Sequence, residues 1–245
     1  MSLQVLVSGA SGAVGRAIIE VIESDDRFVL AGEATSQQFF EPDVQADVIV
    51  DFSHPDLLER VAHFAARRRI PLVTGTTALG EPLQHELREI AEHIAICQAA
   101  NFSVGVNLLV RLARQSAQAL GEDFDIEILE AHHRRKLDAP SGTALWLGET
   151  VARARGQELS DRAVHDRSQR RQARPAGEIG FQAIRGGDVA GEHTVYFLAE
   201  GERLELTHRS SDRRVFARGA LLAASRIIDR PAGLLDFSEL VLESD

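Results

Sequence analysis

The stretch Gln4-Val-Leu-Val-Ser8-Gly9-Ala10-Ser11-Gly12-Ala13-Val14-Gly15 begins with an apolar run and ends in three regularly spaced glycines. Residues 4–8 predict a buried strand, and residues 16–23 carry apolar side chains at helical spacing. Between a strand and a helix, such glycines predict a loop that binds a pyrophosphate, although a glycine pattern alone is weak evidence. Gly9 would allow a tight turn, Gly12 the close approach of a phosphate, and Gly15 the packing of the helix on the sheet. The alternative is a helix start with small packing residues.

Strand and helix patterns alternate along the chain from this loop to residue 97. Strand patterns at 28–32, 47–52, 71–74 and 94–97 enclose helical patterns at 57–69 and 82–93. This order is typical of parallel βαβ units and predicts an α/β protein with an N-terminal, Rossmann-like, doubly wound parallel sheet.

The pattern changes near Asn101, which indicates a second domain. Helical patterns cover 104–120, 142–155 and 215–228, and strand patterns cover 124–130, 179–183, 193–198 and 203–208. We expect a C-terminal α+β domain with an open mixed β-sheet, and the helix over 215–228 is expected to return to the first domain. The predicted domains are 1–102 with 214–245 for dinucleotide binding, and 103–213 for substrate binding and oligomerisation.

Further loops follow the predicted strands at the sheet edge where open α/β folds bind ligands. Their small and hydroxyl-bearing residues would suit a nicotinamide, although each loop alone is equally well explained as a turn. The second strand ends near Glu33 with no arginine after it, so the expected cofactor is NADH, NADPH or both. The predicted cofactor-binding residues are Gly9, Ala10, Ser11, Gly12, Ala13, Val14, Gly75, Thr76, Thr77, Ala99, Ala100, Asn101 and Phe102.

The composition indicates a cytoplasmic protein without nucleic-acid or membrane partners. The net charge of -10 disfavours polyanionic partners. No apolar run approaches the roughly 18 residues of a membrane span, and the N-terminus lacks the basic region of a signal peptide. Cys97 lies in an apolar stretch that predicts a buried structural thiol. Cys and His residues do not show metal-ligand spacing, so no metal is expected, and the arginine-rich stretch 167–174 predicts a mobile, solvated loop.

The chain has one lysine, Lys136, among its 27 lysine and arginine residues. Survival by chance is the alternative explanation. The lysine follows the adjacent residues His132 and His133, which an extended backbone would point in opposite directions. A histidine can act as an acid near neutral pH, and an ammonium can bind a carboxylate or release a proton. The following segment Ser141-Gly142-Thr143 predicts a capped helix start that favours an anion. The motif therefore indicates an anionic substrate that gains a proton.

The segment Glu127-Ile-Leu-Glu130-Ala-His-His-Arg-Arg-Lys136-Leu-Asp-Ala-Pro-Ser-Gly-Thr-Ala144 resembles the signature of the bacterial 4-hydroxy-tetrahydrodipicolinate reductases, also called dihydrodipicolinate reductases. The resemblance extends over nearly the whole chain. It implies reduction, with loss of water, of 4-hydroxy-tetrahydrodipicolinate by NADH or NADPH in lysine and diaminopimelate biosynthesis, and a homotetramer formed through the second domain. It also implies that His132 is the catalytic acid/base, that Lys136 is a second proton donor, and that the substrate carboxylates meet His133, Lys136, Ser141, Gly142 and Thr143. Arg213 would also reach the substrate.

The chain departs from the family pattern between Thr35 and Asp47, where it is short. Thr35 stands where a ribose-binding acid is expected, and Ser36 where a basic residue often follows. This leaves the nucleotide preference open. Two alternative functions are a related two-domain dehydrogenase acting on an amino acid or aldehyde, and a cofactor-sensing regulator without catalysis. The first would lack the His-His-x-x-Lys segment, and the second would need a DNA-binding module or the loss of the acid/base residues.

Overall fold

The computed structural model describes residues 2–212 and 214–242. Besides two 3-10 turns, Gly121–Asp123 and Leu159–Asp161, the structure contains α-helices and β-strands. In chain order these are β1 Leu3–Ser8, α1 Ala13–Glu23, β2 Phe28–Ala34, β3 Val48–Asp51, α2 Pro55–Arg68, β4 Leu72–Thr74, α3 Glu81–Ala91, β5 Ala95–Gln98, α4 Val104–Leu120, β6 Asp125–His132, α5 Gly142–Ala154, β7 Ala163–Val164, β8 Ile179–Arg185, β9 Gly191–Ala199, β10 Glu202–Ser210, α6 Arg214–Ile227, β11 Gly233–Leu235 and α7 Phe237–Leu242. The short elements β7, β11 and α7 were not predicted from the sequence.

The chain divides into two compact units. The first runs up to Val104 and resumes with α6, and the second is Gly105–Asp212. The sequence places the corresponding boundaries after residues 102 and 213. The roles expected of the two domains remain proposals.

The sheet of the first unit has six parallel strands in the order β11-β5-β4-β3-β1-β2. Val5 and Val7 of β1 are fully buried in a core that includes α1 and α6, while Leu6 between them is buried in a core that includes α2 and α3. Burial on both faces explains why the strands read as continuous apolar runs. The predicted Rossmann-like sheet is confirmed.

The connection between β2 and β3, residues 35–47, contains no helix. Phe39 and Phe40 instead pack on Phe64 of α2, with ring centroids 5.7 and 5.5 Å away. Arg68 of α2 donates a hydrogen bond of 2.9 Å to the Pro42 carbonyl. Aromatic packing and this backbone contact hold the segment in which the sequence is shorter than the family pattern.

The second unit contains a five-stranded sheet in the order β10-β9-β6-β8-β7. Strand β6 is parallel to β8 and antiparallel to β9, which confirms the predicted mixed sheet. One face packs through Ile126, Ile128 and Phe197 against Leu147 and Val151 of α5. The strand β10 at the sheet edge begins with four exposed residues and then alternates between partly buried and exposed residues.

The arginine-rich stretch before β8 is held by ion pairs, contrary to the expected solvated loop. Arg167 contacts Glu127 of β6 at 2.8 Å and Glu178 at 3.3 Å. Arg174 lies 3.1 Å from Glu127 and also pairs with Asp125. Because these acids lie on or beside neighbouring strands, the arginines fasten the segment to the sheet, a contact that local sequence cannot reveal.

Cys97 is fully buried, as predicted. Burial raises the pKa of its thiol to about 12, so the thiol stays protonated at neutral pH. None of the described helices combines the length and apolar character needed to span a bilayer.

Candidate active site

Three neighbouring strands of the first unit end in one row of polar residues. The register pairs Ser8 of β1 with Asp51 of β3, and Asp51 with Thr74 of β4. All three residues are fully buried. The loops that leave these strands therefore start side by side at the carboxyl edge of the sheet, where open α/β folds bind ligands.

The glycine loop after β1 is tightly packed at its first and third glycines. Gly9 has a φ of 77°, and a Cβ atom there would lie 2.2 Å from the Phe52 carbonyl oxygen. A Cβ atom on Gly15 would lie 2.1 Å from the Gly9 carbonyl oxygen. Both positions therefore require glycine, because any larger residue would push the loop or the helix away.

The N-terminus of α1 is open to a ligand. Gly12 is the N-cap residue, and no side chain caps the helix there. Ser11, Gly12 and Ala13 are exposed, Val14 is partly buried, and Ala10 is buried. Uncapped N–H groups at a helix start can bind phosphate oxygens, so these residues fit the pyrophosphate of a nicotinamide nucleotide.

The loop after β4 contains two adjacent threonines, one buried and one exposed. Thr76 is 5% exposed, and its hydroxyl donates a 2.6 Å hydrogen bond to Asp51. Thr77 is exposed. Gly75 lies against the Phe52 ring, which a Cβ atom would approach to 2.2 Å. The side chain within reach of a ligand is therefore that of Thr77.

The loop after β5 offers backbone and small side chains rather than its phenylalanine. Ala99 is partly buried and Ala100 is exposed. The Asn101 side chain accepts a 2.8 Å hydrogen bond from the Ser103 N–H. Phe102 is 1% exposed and packs edge-on against Phe52, with ring centroids 5.2 Å apart. A ligand at this loop would meet its backbone, because the Phe102 ring is part of the core.

The end of β2 carries no charged side chain at Thr35 or Ser36. The Thr35 hydroxyl accepts backbone N–H bonds of 3.2 Å from Gln37 and Gln38, and so stabilises the turn. Glu33 is exposed and is the next-to-last residue of β2. The local structure favours neither a 2′-hydroxyl nor a 2′-phosphate.

In the second unit, a buried carboxylate holds the first histidine of the lysine motif. Glu130 is 1% exposed, and its Oε2 lies 2.6 Å from Nδ1 of His132. Arg185 of β8 binds both Glu130 oxygens, at 2.7 and 2.6 Å. The two guanidinium nitrogens hold the carboxylate in place. The carboxylate in turn orients the imidazole through Nδ1, so Nε2 is the ring nitrogen that does not contact Glu130.

The electrostatics of this pair keep Glu130 charged and His132 neutral. Burial alone would raise the pKa of Glu130, but hydrogen bonds from Arg185 and His132 outweigh it and hold the pKa below its ordinary value. Burial lowers the pKa of His132 below 6.5, and this outweighs the opposing contact with Glu130. The neutral imidazole donates Nδ1–H to Glu130, so Nε2 carries the lone pair. A Cβ atom on Gly191 would lie 3.2 Å from this nitrogen.

Lys136 lies in the turn that follows His133. Its N–H donates a 3.1 Å hydrogen bond to the His133 carbonyl, and its Nζ pairs with Asp138 at 2.9 Å. The hydrogen bond from Lys136 lowers the pKa of Asp138. The Lys136 side chain is 22% exposed and that of Asp138 is 59% exposed. An ion pair this exposed contributes little free energy, so another carboxylate can replace Asp138.

Ser141 caps α5 and is buried, with 2% of its surface exposed. Its hydroxyl accepts from the Ala144 N–H at 3.2 Å and lies 3.0 Å from Nε2 of His193, while its N–H donates to Glu130 at 3.2 Å. The fold thus brings Ser141 to the Glu130 cluster. Gly142 is exposed and Thr143 is partly exposed at the first turn of α5.

His193 completes this cluster and was not predicted. Its ring lies 5.2 Å from the His132 ring in an edge-on arrangement, and burial lowers its pKa to about 4. Arg185 and Glu130 also had no role predicted from the sequence alone. An acid two residues before His132 in an apolar strand was the available signal, since both side chains must share one face. Arg213, expected at the substrate, lies outside the described residues.

One further group of potential metal ligands comes together on the surface of the first unit. The ligand atoms of Glu59, His63 and Glu86 lie within 4.8 Å of one another. His63 Nε2 is 2.6 Å from the Glu86 carboxylate. The group is accounted for as an exposed ion pair between α2 and α3.

Both parts of the chain match known families. Residues 3–102 match the family model described as "Dihydrodipicolinate reductase, N-terminus", and residues 105–241 match "Dihydrodipicolinate reductase, C-terminus". A protein of Halorhodospira halophila named 4-hydroxy-tetrahydrodipicolinate reductase is 43% identical over 98% of this chain and 99% of its own length. A protein of the same name from Pseudoalteromonas translucida is 49% identical over 80% of this chain and 73% of its own length.

A solved structure shares the fold. The dipicolinate-bound dihydrodipicolinate reductase from Paenisporosarcina sp. TG-14 superposes with a TM-score of 0.80, at 22% identity, over 96% of this chain and 98% of its own. The sequence matches cover both units and include the residues around Lys136. The chain therefore belongs to the dihydrodipicolinate reductase family.

Proposed function

We propose that this protein catalyses the reduction of 4-hydroxy-tetrahydrodipicolinate to tetrahydrodipicolinate, with loss of water, using NADH or NADPH. The observation that carries the proposal is the imidazole of His132, which is fixed through Nδ1 by Glu130 at 2.6 Å and lies at the end of β6, just before the turn that holds Lys136. This arrangement can give a proton to a substrate that is anionic and electron-poor.

The first unit would hold the nucleotide. The N–H groups at the start of α1 would bind the pyrophosphate, and the loops at Gly75–Thr77 and Ala99–Phe102 would lie against the nicotinamide. When bound, the nicotinamide supplies a hydride. The buried glycine contacts support this role, since the loop leaves the backbone of residues 11–13 uncovered.

The second unit would bind the two substrate carboxylates. Lys136 would exchange Asp138 for a carboxylate, and the N–H groups of Gly142 and Thr143 would bind the other at the start of α5. His133 would add a contact on the opposite side of the loop from His132. Because Ser141 is buried and bonded to Glu130, His193 and Ala144, it would act by fixing the helix start.

His132 would deliver the proton that balances the hydride. Burial lowers the pKa of His132 in the free protein, whereas a bound dicarboxylate would raise it by attraction to the imidazolium. The substrate would thus bring with it the charge that lets His132 take up a proton. The 4-hydroxyl and a proton from the neighbouring ring carbon would leave as water, which forms a ring double bond. The hydride and the proton from His132 would then together reduce that double bond.

The pH profile of a Glu130→Gln variant checks this charge relation. Glutamine keeps an acceptor for Nδ1–H but loses the negative charge that raises the pKa of His132. The protonated form of His132 is the active one, and it is lost as pH rises through the pKa of His132. We therefore expect the falling, high-pH limb of the kcat profile to shift to lower pH by about one unit. At pH 7.5 this would give about a tenfold lower kcat. An unchanged midpoint would show that Glu130 does not set the proton affinity of His132. Glu130→Asp, which keeps the charge, is the matched control.

The reaction itself is tested by oxidation of the reduced nucleotide at 340 nm. Substrate would be made in place from pyruvate and aspartate semialdehyde by the preceding synthase, with NADH and NADPH in parallel. We expect oxidation that requires both the synthase and this protein. A folded protein that binds nucleotide but oxidises neither form would remove the assignment and favour another substrate.

We further propose that the protein is cytoplasmic and forms a homotetramer through the sheet of the second unit. The sheet face opposite α5 supports the second point. It displays the partly exposed side chains of Leu129, Tyr196 and Leu198, and Ile184 is 52% exposed. Exposed apolar groups on a sheet favour association with another copy.

A further inference from the structure

We infer that Asp51 is the positioning residue of the nucleotide site, and that the Thr76 hydroxyl acts through Asp51 instead of contacting the nicotinamide. The inference rests on the proposed function, because it concerns the site assigned to the nucleotide. Asp51 ends β3, is fully buried, and stands in the middle of the polar row at the carboxyl edge of the sheet.

Three hydroxyl groups from two loops and one strand converge on the Asp51 carboxylate. Ser53 donates to Oδ1 at 2.6 Å, while Thr74 and Thr76 donate to Oδ2 at 2.9 and 2.6 Å. Hydrogen bonds to a charged acceptor are about twice as strong as neutral ones, and burial strengthens them further. The carboxylate therefore ties the loop after β3 to the loop after β4.

The directions of these hydrogen bonds are fixed by the number of protons available. Each hydroxyl has one proton, and a carboxylate can only accept. The same hydroxyl oxygens then accept from the backbone: Thr76 Oγ1 accepts from the Ser53 N–H at 3.0 Å, and Thr74 Oγ1 from the Thr76 N–H at 3.3 Å. The network thus orients two backbone amides as well as three side chains.

The two neighbouring threonines, Thr76 and Thr77, therefore have different roles. The only proton of the Thr76 hydroxyl is used at Asp51, so this hydroxyl cannot donate to a carboxamide. Thr77 is exposed and keeps its side chain for direct contact. Between the two tied loops, Phe52 packs against Gly75, and its carbonyl sits against Gly9. Asp51 thereby sets the spacing of the glycine loop and the loop after β4.

The test compares Thr76→Val with Thr76→Ser in the full-length protein. Valine has nearly the shape of threonine but no hydroxyl, whereas serine keeps the hydroxyl. Loss of one hydrogen bond to a buried carboxylate should raise the Kd for NADH about tenfold, measured by isothermal titration calorimetry, and raise the KM for NADH in parallel. Thr76→Ser should stay within about twofold of the wild type. Thr150→Val is the matched control, because it removes a threonine hydroxyl that donates to the Trp146 carbonyl within α5 of the second unit.

A double-mutant cycle separates action through Asp51 from direct contact. Asp51→Asn places a donor against hydroxyl donors, so it should weaken NADH binding by more than tenfold. If Thr76 acts through Asp51, adding Thr76→Val to Asp51→Asn changes Kd by less than about twofold, whereas independent contacts would multiply. Melting temperatures without nucleotide report any loss of fold, and Thr76→Val with Thr76→Ser carries the test if Asp51→Asn does not fold.

The outcomes distinguish this inference from the proposed function. A wild-type Kd in Thr76→Val, or an equal loss in Thr76→Ser, overturns the positioning role while nucleotide binding by the wild type still stands. A wild-type protein that binds neither NADH nor NADPH overturns both the proposed function and the inference. A raised Kd in Thr76→Val that serine rescues, and that does not multiply when Asp51→Asn is also present, supports the role of Asp51.

Discussion

Replacing His132 with glutamine is expected to lower kcat by about 100- to 10,000-fold, the usual contribution of a positioned acid. Glutamine is close to histidine in size and can still hydrogen-bond Glu130, but it has no titratable nitrogen. Since His132 belongs to the second unit and the nucleotide site is assigned to the first, the Kd for NADH should remain within about twofold. Steady-state assays and calorimetry measure the two quantities on the same protein.

The pattern of losses decides what His132 does. A fall in kcat with intact nucleotide binding and an unchanged melting temperature supports proton transfer. A variant that retains most of its kcat would show that the proton comes from another group, and Lys136 would become the leading acid. His93→Gln, which changes an exposed histidine of the first unit, is the control for a general effect of the substitution.

Replacing Lys136 with alanine is expected to raise the KM for the dicarboxylate substrate by about 10- to 100-fold, because a charge-assisted hydrogen bond is lost. kcat should fall as well if the ammonium also donates a proton. Lys136→Arg keeps the positive charge, so its KM should lie between those of Lys136→Ala and the wild type. It should not recover kcat, since a guanidinium does not release its proton near neutral pH.

The neighbouring residue Arg135 gives a matched control. It is exposed in the same turn, and Arg135→Ala should leave KM and kcat within about twofold of the wild type. Kinetics with saturating NADH, and substrate varied, separate the two constants. Unchanged constants in Lys136→Ala would mean that the single lysine has no part in the reaction.

Local sequence predicted the elements of the fold because each signal lies within a few residues. The strand before Gly9, the helix after Gly15 and the helix start at Ser141 depend on spacing and capping. The strand β11, Gly233–Leu235, escaped prediction because its three residues are only partly buried or exposed and it forms through pairing with β5. Short edge strands carry too little pattern to be recognised.

Arg185 and His193 could not be predicted as partners of Glu130 and His132, because strand register brings them together. Strand β6 pairs His132 with Arg185 of β8 and Glu130 with His193 of β9. Arg185 is 55 residues from Glu130 in the sequence. Without the strand order, the sequence gives no indication that this arginine, glutamate and histidine, each in a different strand, lie together.

The same reasoning applies to the first unit. Thr76 and Thr77 look equivalent in the sequence, but only Thr76 meets the carboxylate at the end of β3, 25 residues earlier. Burial and register therefore assign different roles to two identical side chains. Sequence predicted which loops surround the site, and the structure distinguishes the residues within them.

The partly exposed ammonium of Lys136 makes the protein easy to modify at one chosen point. Apart from the α-amine of the chain terminus, it is the only primary amine in the molecule. An acylating or reductively alkylating reagent would therefore mark one side chain, and that side chain lies in the turn beside His133. A dye, spin label or affinity tether attached there would report on the turn that follows His133 without any cysteine being introduced. The same scarcity means that immobilisation through amine coupling would attach the protein by the turn that holds Lys136.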